Sequence, residues 1–117
     1  MAENVLLVKS KKFALRIIKL CNWLRSEKSE YILVKQIIRS GTSIGANLHE
    51  AHYAQSHNDF IAKVQISLKE AGETAYWLEL LYESEYISKT EFDSIHTDCK
   101  ELIKMLVSTL KTAKSNR

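Results

Sequence analysis

His49-Glu50-Ala51-His52 is the first place in the chain where side chains suggest a metal site. A zinc-protease helix carries histidines at i and i+4, which puts both imidazoles on one face with a glutamate between them. Here the histidines stand at i and i+3, and His57 follows nearby. Glu50-Ala51-His52 also misses the Glu-x-x-His spacing that carboxylate-bridged di-iron bundles use. These residues therefore read as polar helix positions, and an enzyme built on His49, Glu50 and His52 ranks last among the functional readings. Cys21 and Cys99 lie on or beside apolar stripes, with no Cys-x-x-Cys and no histidine next to them. Such thiols behave as small hydrophobes rather than nucleophiles. No catalytic residue, metal or cofactor is expected.

Gly41-Thr42-Ser43-Ile44-Gly45 contains a Gly-x-x-x-Gly, but no Gly-Lys-Ser/Thr follows to make a phosphate loop. No 20-residue apolar stretch surrounds it either, so a membrane dimer seam is excluded. Gly41 and Gly45 are instead expected to allow close helix packing, against this chain or another. The remaining chemistry is charge. Lys9, Lys12, Arg16 and Lys19 step by 3, 4 and 3, a basic ridge along one helical face. Cations in such an array neutralise phosphates, which makes them candidate nucleic-acid contacts. Subunit contact and a solvated face are the rival readings.

The elements that carry these residues are helices. The chain has 117 residues, no proline and three glycines, with 45% hydrophobic and 26% charged residues. That composition fits one helical domain with a real core, and it excludes disorder and collagen-like structure. The spacing predicts helices over about 4–26, 30–55, 58–83 and 89–113. Their stripes are Phe13, Ile17, Leu20, Leu24; then Tyr31, Val34, Ile38, Gly41, Gly45, Leu48, His52. The third is Ile61, Val64, Leu68, Ala71, Ala75, Leu78, Tyr82. The fourth is Phe92, Ile95, Cys99, Leu102, Leu106, Leu110. The second helix is expected to run unbroken through both glycines, because its period passes them without a phase shift. Ser29 is the expected cap of the second helix, and Ser56 and Ser88 open the third and fourth with Asp59 and Glu91 three residues on. Short loops make sequential helices antiparallel neighbours. The fold class is thus all-α, an antiparallel up-down-up-down four-helix bundle over residues 1–117, its tail from Lys114 frayed.

Six cations and no acid lie in 4–26, whereas 58–83 holds five acids against two lysines. In an up-down bundle the first and third helices are diagonal, so oppositely charged corners are expected. The apolar run at the start, Val5-Leu6-Leu7-Val8, is too short for a secretory signal, and no stretch reaches the length of a membrane span. A cytoplasmic location with reduced thiols and no membrane partner follows as the expectation.

Two segments are more specific: QIIRSGTSIGANLHEA (Gln36–Ala51) and DFIAKVQISLKEAGETAYWLELL (Asp59–Leu81). Through Arg39, Ser43-Ile44, Asn47, Glu50-Ala51, Phe60, Lys69-Glu70-Ala71, Glu73-Thr74 and Tyr76-Trp77-Leu78 the chain resembles the four-helix-bundle proteins encoded in intervening sequences of bacterial 23S ribosomal RNA genes. The resemblance extends to the accessory variability protein of diversity-generating retroelements. It implies a homo-oligomer, a pentamer, and in the related branch a basic barrel that binds a reverse transcriptase and nucleic acid. It carries no catalytic residues. Arg39, Ser43, Asn47 and Glu50 share a helical face, from which they could bond to Lys69, Glu70, Glu73 or Thr74 as an internal or intersubunit polar network. The functional expectation is a non-enzymatic oligomer that binds RNA or a nucleoprotein through its first helix. The alternative is a scaffolding oligomer whose basic ridge is consumed by its neighbour.

Overall fold

The computed structural model describes residues 2–116. Four helices follow one another: α1 Ala2–Lys28, α2 Ile32–His52, α3 His57–Glu83 and α4 Lys89–Ser115. Arg117, at the end of the tail expected to fray, lies outside the described residues, while Lys114 and Ser115 are still helical.

Local chemistry sets the boundaries. α1 ends where Ser29 takes a left-handed backbone (φ 50°), and the Glu30 N–H donates back to the Leu24 carbonyl at 3.1 Å. Ser29 therefore closes α1 and does not cap α2. That second role belongs to Glu30, whose carboxylate accepts from the Leu33 and Val34 N–H groups, both at 3.0 Å. A carboxylate there satisfies two of the donors a helix start leaves open and sits at the positive end of the dipole. α2 stops at His52, short of residue 55. Ser56 then accepts from the Asp59 N–H at 3.0 Å, and the Asp59 carboxylate accepts from the Gln55 N–H at 3.3 Å. Ser88 accepts from the Glu91 N–H at 3.1 Å.

Contacts across neighbouring helices rise in residue number on one side as they fall on the other. Cys21 faces Val34 while Gly41 faces Ile17 and Gly45 faces Ser10. Ser40 meets Thr74 and Glu50 meets Lys63. Glu79 meets His96 and Ala113 meets His57. Lys9 meets Glu101 and Arg16 meets Asp98. All four neighbouring pairs are antiparallel, and the bundle measures 47 × 21 × 19 Å.

The core is the inward side of these stripes. Phe13, Ile17, Leu20 and Leu24 are buried, joined by Leu6 and Cys21. On α2 the buried column is Val34, Ile37, Gly41, Ile44, Leu48 and Ala51. The expected column is displaced by one residue at two levels: Ile38 and Gly45 sit on its flank, and Tyr31 and His52 face solvent. The helix runs through Gly41 and Gly45 unbroken. A Cβ on Gly41 would stand 2.9 Å from Ile17 Cγ1 and Cγ2, and one on Gly45 would stand 3.3 Å from Ser10 Oγ. Both glycines therefore admit α1 of the same chain.

Polar groups enter the α2–α3 seam as hydroxyls. Ser40, Ser67 and Thr74 are fully buried. Ser67 donates to the Ile44 carbonyl at 2.8 Å. The Thr74 hydroxyl has two oxygens in reach, Ser40 Oγ at 2.9 Å and the Glu70 carbonyl at 2.8 Å. Among the described residues no buried side-chain nitrogen or oxygen lacks a partner, as a well-specified seam requires.

Candidate functional site

The basic ridge of α1 stands beside α4, and the fold divides it. Lys9 pairs with Glu101, and Arg16 donates to Asp98 at 2.8 Å and to Ser94 at 2.7 Å. These bridges line a groove of about 330 Å³ between the two helices. Lys12 borders the same groove, and neither it nor Lys19 has an ion pair among the described residues. Both are exposed, as is Lys11.

α4 adds cations that a charge sum over the whole helix hides. Residues 100–114 hold Lys100, Lys104, Lys111 and Lys114 against Glu101 alone. Residues 79–93 hold Glu79, Glu83, Glu85, Glu91 and Asp93 against Lys89 alone. The charge of the molecule is thus graded along the α3–α4 hairpin, in addition to the difference between α1 and α3. Counting charge by half-helix finds this gradient in the sequence.

The polar residues of α2 and α3 separate into three groups. Arg39 reaches across to Glu70 at 3.2 Å and pairs with Glu73. Glu73 also accepts from the Trp77 indole N–H at 3.1 Å. The indole bond and the guanidinium hold the Glu73 carboxyl below the usual carboxylate range, against the cost of its partial burial. Glu73 in turn raises the Arg39 guanidinium further. Glu50 forms a separate pair with Lys63 at 3.1 Å. Ser43 and Asn47 bond to their own helix, at the Arg39 carbonyl and, at 2.8 Å, the Ser43 carbonyl. Lys69 is exposed, with no ion pair among the described residues. The buried part of the seam is instead Ser40, Ser67 and Thr74, which carry no charge and of which only Thr74 belongs to the expected network.

The histidines do not converge. His49 and His52 are exposed and meet Tyr53 edge-on at 5.2 and 4.9 Å. His57 lies 2.7 Å from the Ala113 carbonyl through Nε2. Among the described residues no group of three or more His, Cys, Asp or Glu is placed to hold a metal. Both thiols are buried: burial pushes Cys21 up to about 11 and Cys99 up to about 12. A thiol so placed is almost entirely protonated near neutrality and a poor nucleophile. Among the described residues no helix is long and apolar enough to cross a membrane.

A family model described as 23S rRNA-intervening sequence protein matches residues 3–108. The chain belongs to that family. A solved structure of a protein of unknown function from the S23 ribosomal protein family of Bacteroides thetaiotaomicron VPI-5482 superposes with a TM-score of 0.93. The two chains are 52% identical, over 95% of this chain and 99% of the other. No curated protein matches. The family description names the genomic setting of its members, an insertion in a ribosomal RNA gene, and no reaction. This family member is a helical bundle with paired surface charges and with lysines on α1 and α4 that have no ion pair among the described residues.

Proposed function

We propose that the protein is a non-catalytic bundle subunit that assembles with copies of itself and offers lysines of α1 and α4 to RNA phosphates, free or within a nucleoprotein. The observation that carries this reading is the exposure of Lys11, Lys12 and Lys19 on α1, with Lys100, Lys104 and Lys111 on α4, none ion-paired among the described residues. Lysines are point charges on flexible stems, suited to phosphates and poor at reading base edges. Binding is therefore expected to be nearly independent of sequence. Lys9 and Arg16 contribute less than Lys12 and Lys19, because Glu101 and Asp98 already offset their charge.

Titration of a labelled single-stranded RNA at several salt concentrations tests the reading. Each phosphate neutralised contributes about 0.7 to the slope of log affinity against log salt. Lys12→Glu with Lys19→Glu should lower that slope by at least about 1.4 and weaken binding at every salt concentration. An unchanged affinity would sink this reading.

A second reading has its own support. Val8, Leu15 and Ile18 are exposed on the same outward side of α1 as Lys11, Lys12 and Lys19. Apolar groups among lysines fit a neighbouring subunit whose acids meet those cations. If the Lys12→Glu, Lys19→Glu variant keeps its RNA affinity but loses its assembly, this scaffolding reading holds and the first fails.

A further inference from the structure

An opening lies at the end of the bundle where the α3–α4 turn faces the end of α1, one helical turn past Lys19 of the ridge. It is a cleft of about 1100 Å³. Three of its walls are aromatic: Trp23 from α1, Tyr82 from the end of α3 and Tyr86 from the turn. The walls are preformed. Tyr82 stacks on Phe92 with ring centroids 4.7 Å apart, and Phe92 stacks on His96 at 4.6 Å. His96 is tied to Glu79 at 3.0 Å. The turn is fixed too, because Glu85 holds a left-handed φ of 66° and the Tyr86 N–H donates to the Leu81 carbonyl at 2.9 Å.

The rim is acidic. Glu83, Glu85 and Glu91 border the cleft, all exposed and none in an ion pair among the described residues. Lys89 is the rim's second cation, and Asp93 already holds it at 2.7 Å. The other cation, Lys28, lies over the Trp23 ring with its ammonium 5.5 Å from the centroid. The chain's own lysine thus occupies the position that a ligand cation would take on the indole face.

From these features we propose that the cleft is a docking site for a lysine- and arginine-rich polypeptide segment of another protein. Aromatic faces attract ammonium and guanidinium groups, most strongly on tryptophan. The aliphatic stems of such residues cover apolar surface while their heads stay in water beside carboxylates. RNA is disfavoured at this end, since its phosphates would meet three unpaired acids. A basic segment fits on shape, ring chemistry and sign of charge together, and the site stands independently of RNA binding by α1.

A fluorescein-labelled nonapeptide alternating lysine, arginine and alanine is the probe, and fluorescence anisotropy of the full chain is the readout. Glu83→Gln with Glu85→Gln and Glu91→Gln should weaken binding about tenfold or more, as should Trp23→Leu. The control triple variant, Glu50→Gln, Glu101→Gln and Asp98→Asn, changes the net charge equally but lies outside the cleft, and it should bind within about twofold of the parent. Far-UV circular dichroism checks that each variant folds, and the two rim and control triples touch no core residue. No binding by the parent in low salt, or equal losses from the two triples, would overturn the proposal. So would a fall in light-scattering mass caused by the cleft triple, since the occupant would then be a second copy of this chain.

Discussion

One methyl group has opposite consequences at two glycines of this bundle. Gly41 faces Ile17, and an added Cβ would lie 2.9 Å from both of its γ carbons, inside any normal contact distance. Ile17 is itself fully buried and has no room to retreat. Gly72 has nothing within 4 Å of the same position. Alanine favours a helix by about 1 kcal/mol over glycine, whereas overpacking a core costs about 1–3 kcal/mol. Gly72→Ala should therefore raise the stability by about 0.5–1 kcal/mol. Gly41→Ala should lower it by about 1–2 kcal/mol net. Urea unfolding followed by circular dichroism measures both. Equal gains at the two sites would show that α1 and α2 are not in close contact at Gly41. A Gly-x-x-x-Gly alone says that something comes close, and only the fold identifies Ile17 and Ser10.

The α1–α2 turn shows how an element boundary is built without glycine. Ser29 holds a left-handed φ that glycine adopts more cheaply, and the next residue, Glu30, caps α2 with its carboxylate. Ser29→Gly should stabilise the protein by about 0.5–1 kcal/mol, as relief of the backbone strain outweighs the added freedom of the unfolded chain. Glu30→Ala should cost about 1–2 kcal/mol by orphaning the Leu33 and Val34 N–H groups. A Glu30→Ala variant with parental stability would mean that the cap contributes nothing. This turn also marks a limit of the sequence. Ser56 and Ser88 were legible as caps because each has its acidic partner three residues on, whereas Ser29 has the right chemistry on the wrong backbone. The four stripes were legible from period alone, but the second was placed partly on Ile38 and Gly45 instead of Ile37 and Ile44. Adjacent columns on α2 are both apolar, and only the position of α1 and α3 decides which one turns inward. The fate of the basic ridge was still less legible, because Lys9 and Arg16 find their acids 92 and 82 residues away. Local spacing carries no information about such partners until the bundle closes.

Taken whole, the molecule leaves one helix face incompletely used. α1 buries Leu6, Phe13, Ile17, Leu20 and Leu24 inward, yet Val8 and Leu15 are each 54% exposed on its opposite side and Ile18 is 36% exposed. Single exposed apolar residues are ordinary, but three on one face between lysines form a surface suited to a partner. Burying a side chain of this size contributes about 1.5–3 kcal/mol, so Leu15 and Ile18 together are enough to decide a modest association. The family resemblance implies a pentamer, and the scaffolding reading places this face between subunits. Light scattering should then give five times the 13.5 kDa protomer mass. Leu15→Glu with Ile18→Glu should reduce it to the single protomer, because two carboxylates would have to be desolvated at the contact. Neither residue belongs to the buried core, so the circular dichroism of the variant should match that of the parent. A parent of one protomer mass would remove the assembly altogether. A variant that still assembles would move the contact off α1, and the lysines there would then be free for RNA along the whole helix.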